Sequence, residues 1–234
     1  MLKKLMLLLI AFSASSSYAG LIITGTRVIY PAQQKSVNVQ ISNVGTTPAL
    51  MQTWIDNGQI DAAPDQIQTP FVITPPISRI EANKGQTIRI THTGEALPKD
   101  RESVFYLNVL DIPPKPQGEK APENYLQIAV RSRIKLFYRP QNLPFPVEQA
   151  YEKVQWRLSG KNDIIAKNPT PYFITYQDIA VHQNGHTIDV KETGMVAPFS
   201  EKHFALKQAI RGGSVNWRVI NDYGTKVSGN SNLH

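Results

Sequence analysis

The residues best suited to metal binding or proton transfer are the five histidines of this 234-residue chain. His182 and His186 stand four apart, a ligand spacing if they lay on a helix. They flank Asn184-Gly185, however, the strongest short-range hairpin signal in the chain, which makes them turn-flanking surface residues. His92, His203 and His234 are isolated in sequence. Nucleophiles fare no better: there is no G-x-S-x-G elbow, no glycine-rich phosphate loop and no paired carboxylates in a shared apolar setting. The chain has no cysteine, which excludes thiol catalysis and cysteine-ligated metal. The expectation is a protein that is not an enzyme and carries no metal.

The basic residues say more. Arg27 sits within "TGTRVIYP", an apolar first strand in which a charge needs a reason. Lys135 and Arg139 belong to "NYLQIAVRSRIKLFYRP", residues 124 to 140, which alternates without a break. Its even positions include Leu126, Ile128, Val130, Ile134 and Leu136, and its odd positions Arg131, Arg133, Lys135 and Arg139. Read as one strand, it has an apolar face and a mostly basic face. That is far longer than the usual ~5–6 residues. The basic face suits either plain solvation or a carboxylate held by charge-assisted hydrogen bonds. Nucleic acid would call for exposed stacking aromatics among the cations, and no such stretch is present. The apolar face near Leu126, Ile128 and Val130 follows the proline-rich loop "IPPKPQGEKAPEN" and is expected to project beyond its domain. An exposed apolar edge of this kind invites pairing with another chain.

The elements that must position these residues are almost all strands. Residues 1–19 read as a signal peptide: Lys3 and Lys4, the apolar run Leu5 to Phe12, then Ser17 and Ala19 at the small-residue positions that imply cleavage before Gly20. Removing them takes away two lysines and no acid, so the formal charge falls from +7 to +5. After Gly20, short β-branched and aromatic runs alternate with Gly, Pro and Asn, giving about seven strands by Pro140. Prolines 140, 144 and 146 break that rhythm, and a second series of short strands follows. Two immunoglobulin-like β-sandwich domains are expected, at 20–140 and 141–234.

Five stretches in order, "TRVIYP", "DRESVFYLNVLDIPPKP", "LQIAVRSRIKLFYRP", "NPTPYFIT" and "INDYG", resemble the periplasmic chaperones of the chaperone–usher pilus pathway. The resemblance implies an all-β fold of two immunoglobulin-like sandwiches at an angle, with a cleft between them. Arg27 and Lys135 match the two cations that bind the C-terminal carboxylate of a pilus subunit. Leu126, Ile128 and Val130 match the donor strand that completes a subunit lacking its own seventh strand. Glu102, Arg139 and Asp222 match a charge cluster that fixes the interdomain angle, which turns Arg139 from ligand to scaffold. The implied partners are pilus subunits and an outer-membrane usher, and the exposed donor edge leaves self-association of the free protein open. No cofactor, nucleic acid or small-molecule substrate is implied. Only ten residues separate Pro114 from Tyr125, and there is no cysteine pair, as in the short-loop subclass that usually serves adhesive rod-like pili. The reading from another class is an exported adhesin or carbohydrate-binding sandwich, which would bind through its loops and have no need of Lys135.

Overall fold

A computed structural model describes residues 20–115 and 124–234. The expected signal peptide, and most of the loop between Lys115 and Asn124, lie outside the described residues. The first sandwich is built from β1 (Leu21–Ile23), β2 (Arg27–Pro31), β3 (Ser36–Asn43), β4 (Ala49–Asp56), β5 (Phe71–Thr74), β6 (Ile77–Ile80), β7 (Gly85–His92), β8 (Ser103–Ile112) and β9 (Val130–Arg139). One sheet runs β1-β3-β7-β5 and the other β2-β9-β8-β4-β6. Alternation dictates which face is buried: Ile41, Met51, Ile88, Ile90, Leu107 and Leu136 all point between the sheets and are fully buried.

The strand count exceeds the expected seven because two of the expected strands split. "GLIITGTRVIYP" divides at Gly25, whose φ of 100° lies in the left-handed region, so β1 joins one sheet and β2 the other. "SRIEANKGQTIRITHTG" divides at the turn closed by Lys84 N–H donating to Glu81 O, with Asn83 at φ 59°. Gly25→Ala makes only ordinary van der Waals contact, with Arg27 O 3.5 Å from the added carbon, so its penalty is conformational. The expected cost is about 1–2 kcal/mol, a fall in Tm of roughly 3–6 °C on thermal melting. An unchanged melt would mean that Gly25 is not where the chain must bend.

The reading of residues 124 to 140 as one long strand needs correction. The ladder starts at Val130, opposite Asp111 of β8, and Tyr125 to Ala129 join no strand pairing among the described residues. The cause is the partner: β8 ends at Ile112 and is followed by Pro113 and Pro114, which have no N–H to extend a ladder. The Gln127 side chain, donating to Pro113 O at 2.6 Å, ties this segment back.

The second sandwich contains β10 (Gln155–Leu158), β11 (Asp163–Asn168), β12 (Ile174–Gln183), β13 (His186–Asp189), β14 (Met195–Val196), β15 (Ser200–Ala205), β16 (Ser214–Ile220) and β17 (Lys226–Asn232). Its sheets run β10-β11-β15 and β13-β12-β16-β17, with β14 also pairing β12. A separate core forms around Trp156, Tyr176 and Phe204, the first two rings meeting edge to face at 5.4 Å. The Asn184-Gly185 hairpin joins β12 to β13 with both residues at positive φ, and His182 and His186 lie exposed beside it. The only helical pieces among the described residues are two short 3-10 segments, Pro64–Gln66 and Val147–Lys153.

Candidate functional site: a cationic strand at the junction of two sandwiches

β2 and β9 pair in parallel, and the register sets Arg27 directly beside Lys135. Strands lie about 4.8 Å apart, and laterally paired residues project from the same face, so the two cations are immediate neighbours. The sequence places them 108 positions apart, and only this crossover brings them together.

Their surroundings differ. One Arg27 guanidinium N–H donates to Ile220 O of the second sandwich at 2.7 Å, while its Nε is buried without a partner among the described residues. Burial lowers its pKa, partly offset by Asp222, Tyr151 and Glu102. Lys135 is half-buried, and its pKa is pushed down first by burial, then by Arg27, Arg133 and Lys202. Every charge named there is a cation. A half-buried ammonium beside three like charges is a prepared seat for an anion, because burial weakens the screening that water gives to exposed pairs.

Below this pair the two sandwiches are locked together. Arg139 Nε donates to Glu102 Oε1 at 2.7 Å, and its two terminal nitrogens donate to Asp222 at 2.6 and 2.9 Å. The other Glu102 oxygen accepts from Phe173 N–H at 2.8 Å, and Glu102 N–H donates to Pro171 O at 2.9 Å. Glu102 is only 3% exposed, and burial raises its pKa despite Arg139 and the Phe173 N–H. Burial opposes the Arg139 cation as well, but the Asp222 hydrogen bonds and the charge of Glu102 outweigh it and raise its pKa. Arg139 therefore stays charged, and Glu102 is the penalised member, chiefly because it is buried and to a lesser degree because Asp222 lies nearby. Phe137, on the same face of β9, packs against Phe173 at 5.9 Å between ring centres. Glu102, Arg139 and Asp222 thus come together as one cluster across the junction.

Above Lys135, Leu126, Ile128 and Val130 are 83%, 61% and 58% exposed. β8 pairs with one edge of β9 from Val130 to Tyr138, whereas β2 covers the other edge from Lys135 to Arg139. From Val130 to Ile134 no strand among the described residues pairs with that second edge. Two residues the sequence did not single out also belong here. Arg133 is held by Asp56, with Nε to Oδ2 at 2.8 Å and a terminal nitrogen to Oδ1 at 2.5 Å. Arg133 shares the parity of Lys135, a legible signal, but its partner lies 77 residues away on another strand. Among the described residues no three His, Cys, Asp or Glu side chains gather as a metal site, and no helix is long and apolar enough to cross a membrane.

Two sandwiches joined by a charge cluster, with exposed apolar side chains leading to a half-buried lysine, make the candidate site a strand edge beside a cation. The sequence matches "Pili and flagellar-assembly chaperone, PapD N-terminal domain" over residues 20–144 and "Pili assembly chaperone PapD, C-terminal domain" over residues 149–231. Chaperone protein HifB of Haemophilus influenzae is 49% identical over 226 residues, covering 95% of this chain and 90% of that one. The crystal structure of the YadV chaperone superposes with a TM-score of 0.80 at 39% identity, covering 92% of this chain and 100% of that one. The SafB chaperone in complex with the Salmonella enterica SafA pilin gives a TM-score of 0.78 at 25% identity, covering 94% and 99%. The chain belongs to the PapD family of pilus-assembly chaperones, a family of non-enzymatic assembly factors.

Proposed function

We propose that this chain binds, folds and caps pilus subunits in the periplasm by donor-strand complementation and delivers them to an outer-membrane usher. In this reading it is exported with cleavage before Gly20 and works as two domains, 20–140 and 141–234. Leu126, Ile128 and Val130 fill the groove of a subunit that lacks a strand, while Arg27 and Lys135 receive its C-terminal carboxylate. The Glu102–Arg139–Asp222 cluster holds the two sandwiches in the relation that places the anchor beside the donor edge. The observation that carries this reading is a single segment in which three alternating apolar side chains stand in solvent beside an open strand edge, followed by a lysine surrounded by cations.

The physical logic is complementary. An incomplete sandwich exposes unpaired backbone groups and an apolar groove, and a lent strand satisfies both at once. At about 25 cal/mol per Å² of apolar surface, three such side chains contribute several kcal/mol before ordering costs. Ile128→Asp tests the donor role. Because Ile128 is exposed, the variant should melt within about 1–2 °C of the parent, while pilin recovered with it from the periplasm falls roughly tenfold or more. A variant that unfolds instead would make Ile128 a core residue and remove it from the donor strand.

A further inference from the structure

Period-two alternation has a blind spot. A one-residue slip of a paired strand turns every side chain to the wrong face, so Leu126, Ile128 and Val130 reject odd slips strongly. A two-residue slip keeps every apolar residue facing the groove, and alternation alone does not reject it. Under the proposed function, the anchor cation must then exclude even slips. Arg133 stands two residues from Lys135 on the same face of β9, half-buried, and is a second cation at the very spacing that a slipped subunit would use.

Asp56 deals with that second cation. It lies at the end of β4, 1% exposed, and both its oxygens are saturated. Oδ1 accepts from Gly58 N–H at 2.7 Å and from Arg133 at 2.5 Å. Oδ2 accepts from Asn108 at 2.7 Å and from Arg133 at 2.8 Å. The forked pair turns the guanidinium over the Tyr106 ring at 3.6 Å, and Tyr106 is the cross-strand partner of Lys135. Arg131, two residues further on, donates to Ile60 O at 2.9 Å and is exposed, so water screens what it offers an anion. Burial pushes the Asp56 carboxyl up, but the hydrogen bonds from Arg133, Asn108 and Gly58 hold it below its ordinary value, so it is ionised at neutral pH.

We infer that Asp56 determines binding register: by neutralising Arg133 it leaves the paired Arg27 and Lys135 as the seat for the incoming carboxylate, and so blocks a two-residue slip that hydrophobic alternation tolerates. Asp56 touches no subunit in this account. It is a positioning residue acting through Arg133, and the inference rests on the carboxylate-anchor reading above.

The test is a rescue, using the pilin that co-purifies with the unaltered chain. Lys135→Met should lower pilin recovery by roughly 10- to 100-fold. Adding Asp56→Asn should free Arg133 and restore recovery at least ~5-fold, and adding Arg133→Met to that pair should abolish the gain. Asp56→Glu keeps the charge and should give no rescue, which separates charge from mere loosening. Asp56→Ser, with room for water to solvate Asn108 and the Gly58 N–H, is the parallel neutral variant if Asp56→Asn folds poorly. Because the chain has no cysteine, single cysteines at Leu126 or Ile128 can be trapped against one cysteine in the pilin groove, and the rescued complex should trap with a two-residue shift. Undiminished recovery with Lys135→Met alone would overturn the anchor reading. A strong loss with Lys135→Met that no folded neutral Asp56 variant relieves, or equal relief by Asp56→Glu, would overturn the register inference and leave the anchor intact.

Discussion

Lys135→Met yields a folded chain that melts slightly higher than its parent at neutral pH and yet captures pilin far less well. The binding loss follows from a charge-assisted contact worth about 1.5–3 kcal/mol, or roughly 10- to 150-fold in affinity. The stability gain follows from linkage. The folded-state pKa of Lys135 is depressed by burial and by three neighbouring cations, so folding disfavours its protonated form. That penalty is fully present at neutral pH and is relieved as pH rises through the lowered folded pKa toward the unfolded value near 10.5. Methionine keeps the aliphatic stem and deletes the charge, so Tm should rise by roughly 1–3 °C at pH 7, with the difference from the parent shrinking at alkaline pH. Thermal melts across pH check this, and a lower Tm at pH 7 would mean that Lys135 has a stabilising partner in the free protein. A residue that destabilises its own fold while completing a binding site is the expected signature of an anchor.

The largest structural effect belongs to Arg139→Ala. It strips both carboxylates of their cation and leaves Glu102 buried with only the Phe173 N–H as donor. Removing one partner from a buried pair costs about 3–5 kcal/mol, here expressed as loosened contact between the sandwiches. Glu102 already has a raised pKa, and removing Arg139 raises it further. Its protonated form is the one the fold accepts, so the variant should be least impaired in acid and lose stability as pH rises through that raised folded pKa. Small-angle scattering should show a broader, more extended particle at pH 7 that contracts toward the parent near pH 4–5. Asp222→Asn, which removes the charge of one of the two carboxylates, should give a smaller version of the same change. An unchanged scattering profile and melt for Arg139→Ala at pH 7 would remove the cluster from the junction's mechanics.

What was legible in the sequence depended on how local the determining physics is. Alternation along one strand is local, so the apolar positions 126, 128 and 130 and the opposite parity of Lys135 could be read directly. The hairpin at Asn184-Gly185 is local for the same reason, since the turn fixes its own geometry. The start of β9 is not written in its own residues, because a ladder ends where its partner ends, and that end is set by Pro113 and Pro114 just beyond β8. The setting of Arg27 beside Lys135 was beyond residue patterns, because it arises from a parallel crossover between the two ends of one domain. Family resemblance supplied that pairing in advance, along with the Glu102–Arg139–Asp222 grouping. It did not supply Asp56, whose partner lies across β8 and whose meaning rests on one fork of two hydrogen bonds visible only in three dimensions.

The most direct test of the account is co-purification from periplasm, with the unaltered chain and Lys135→Met expressed side by side at equal levels with the same pilin. The account predicts an equimolar pilin complex with the unaltered chain, and free, folded chaperone with degraded or aggregated pilin for the variant. Equal recovery of soluble pilin with both chains would contradict it, since capture would then owe nothing to the anchor at the end of the lent strand.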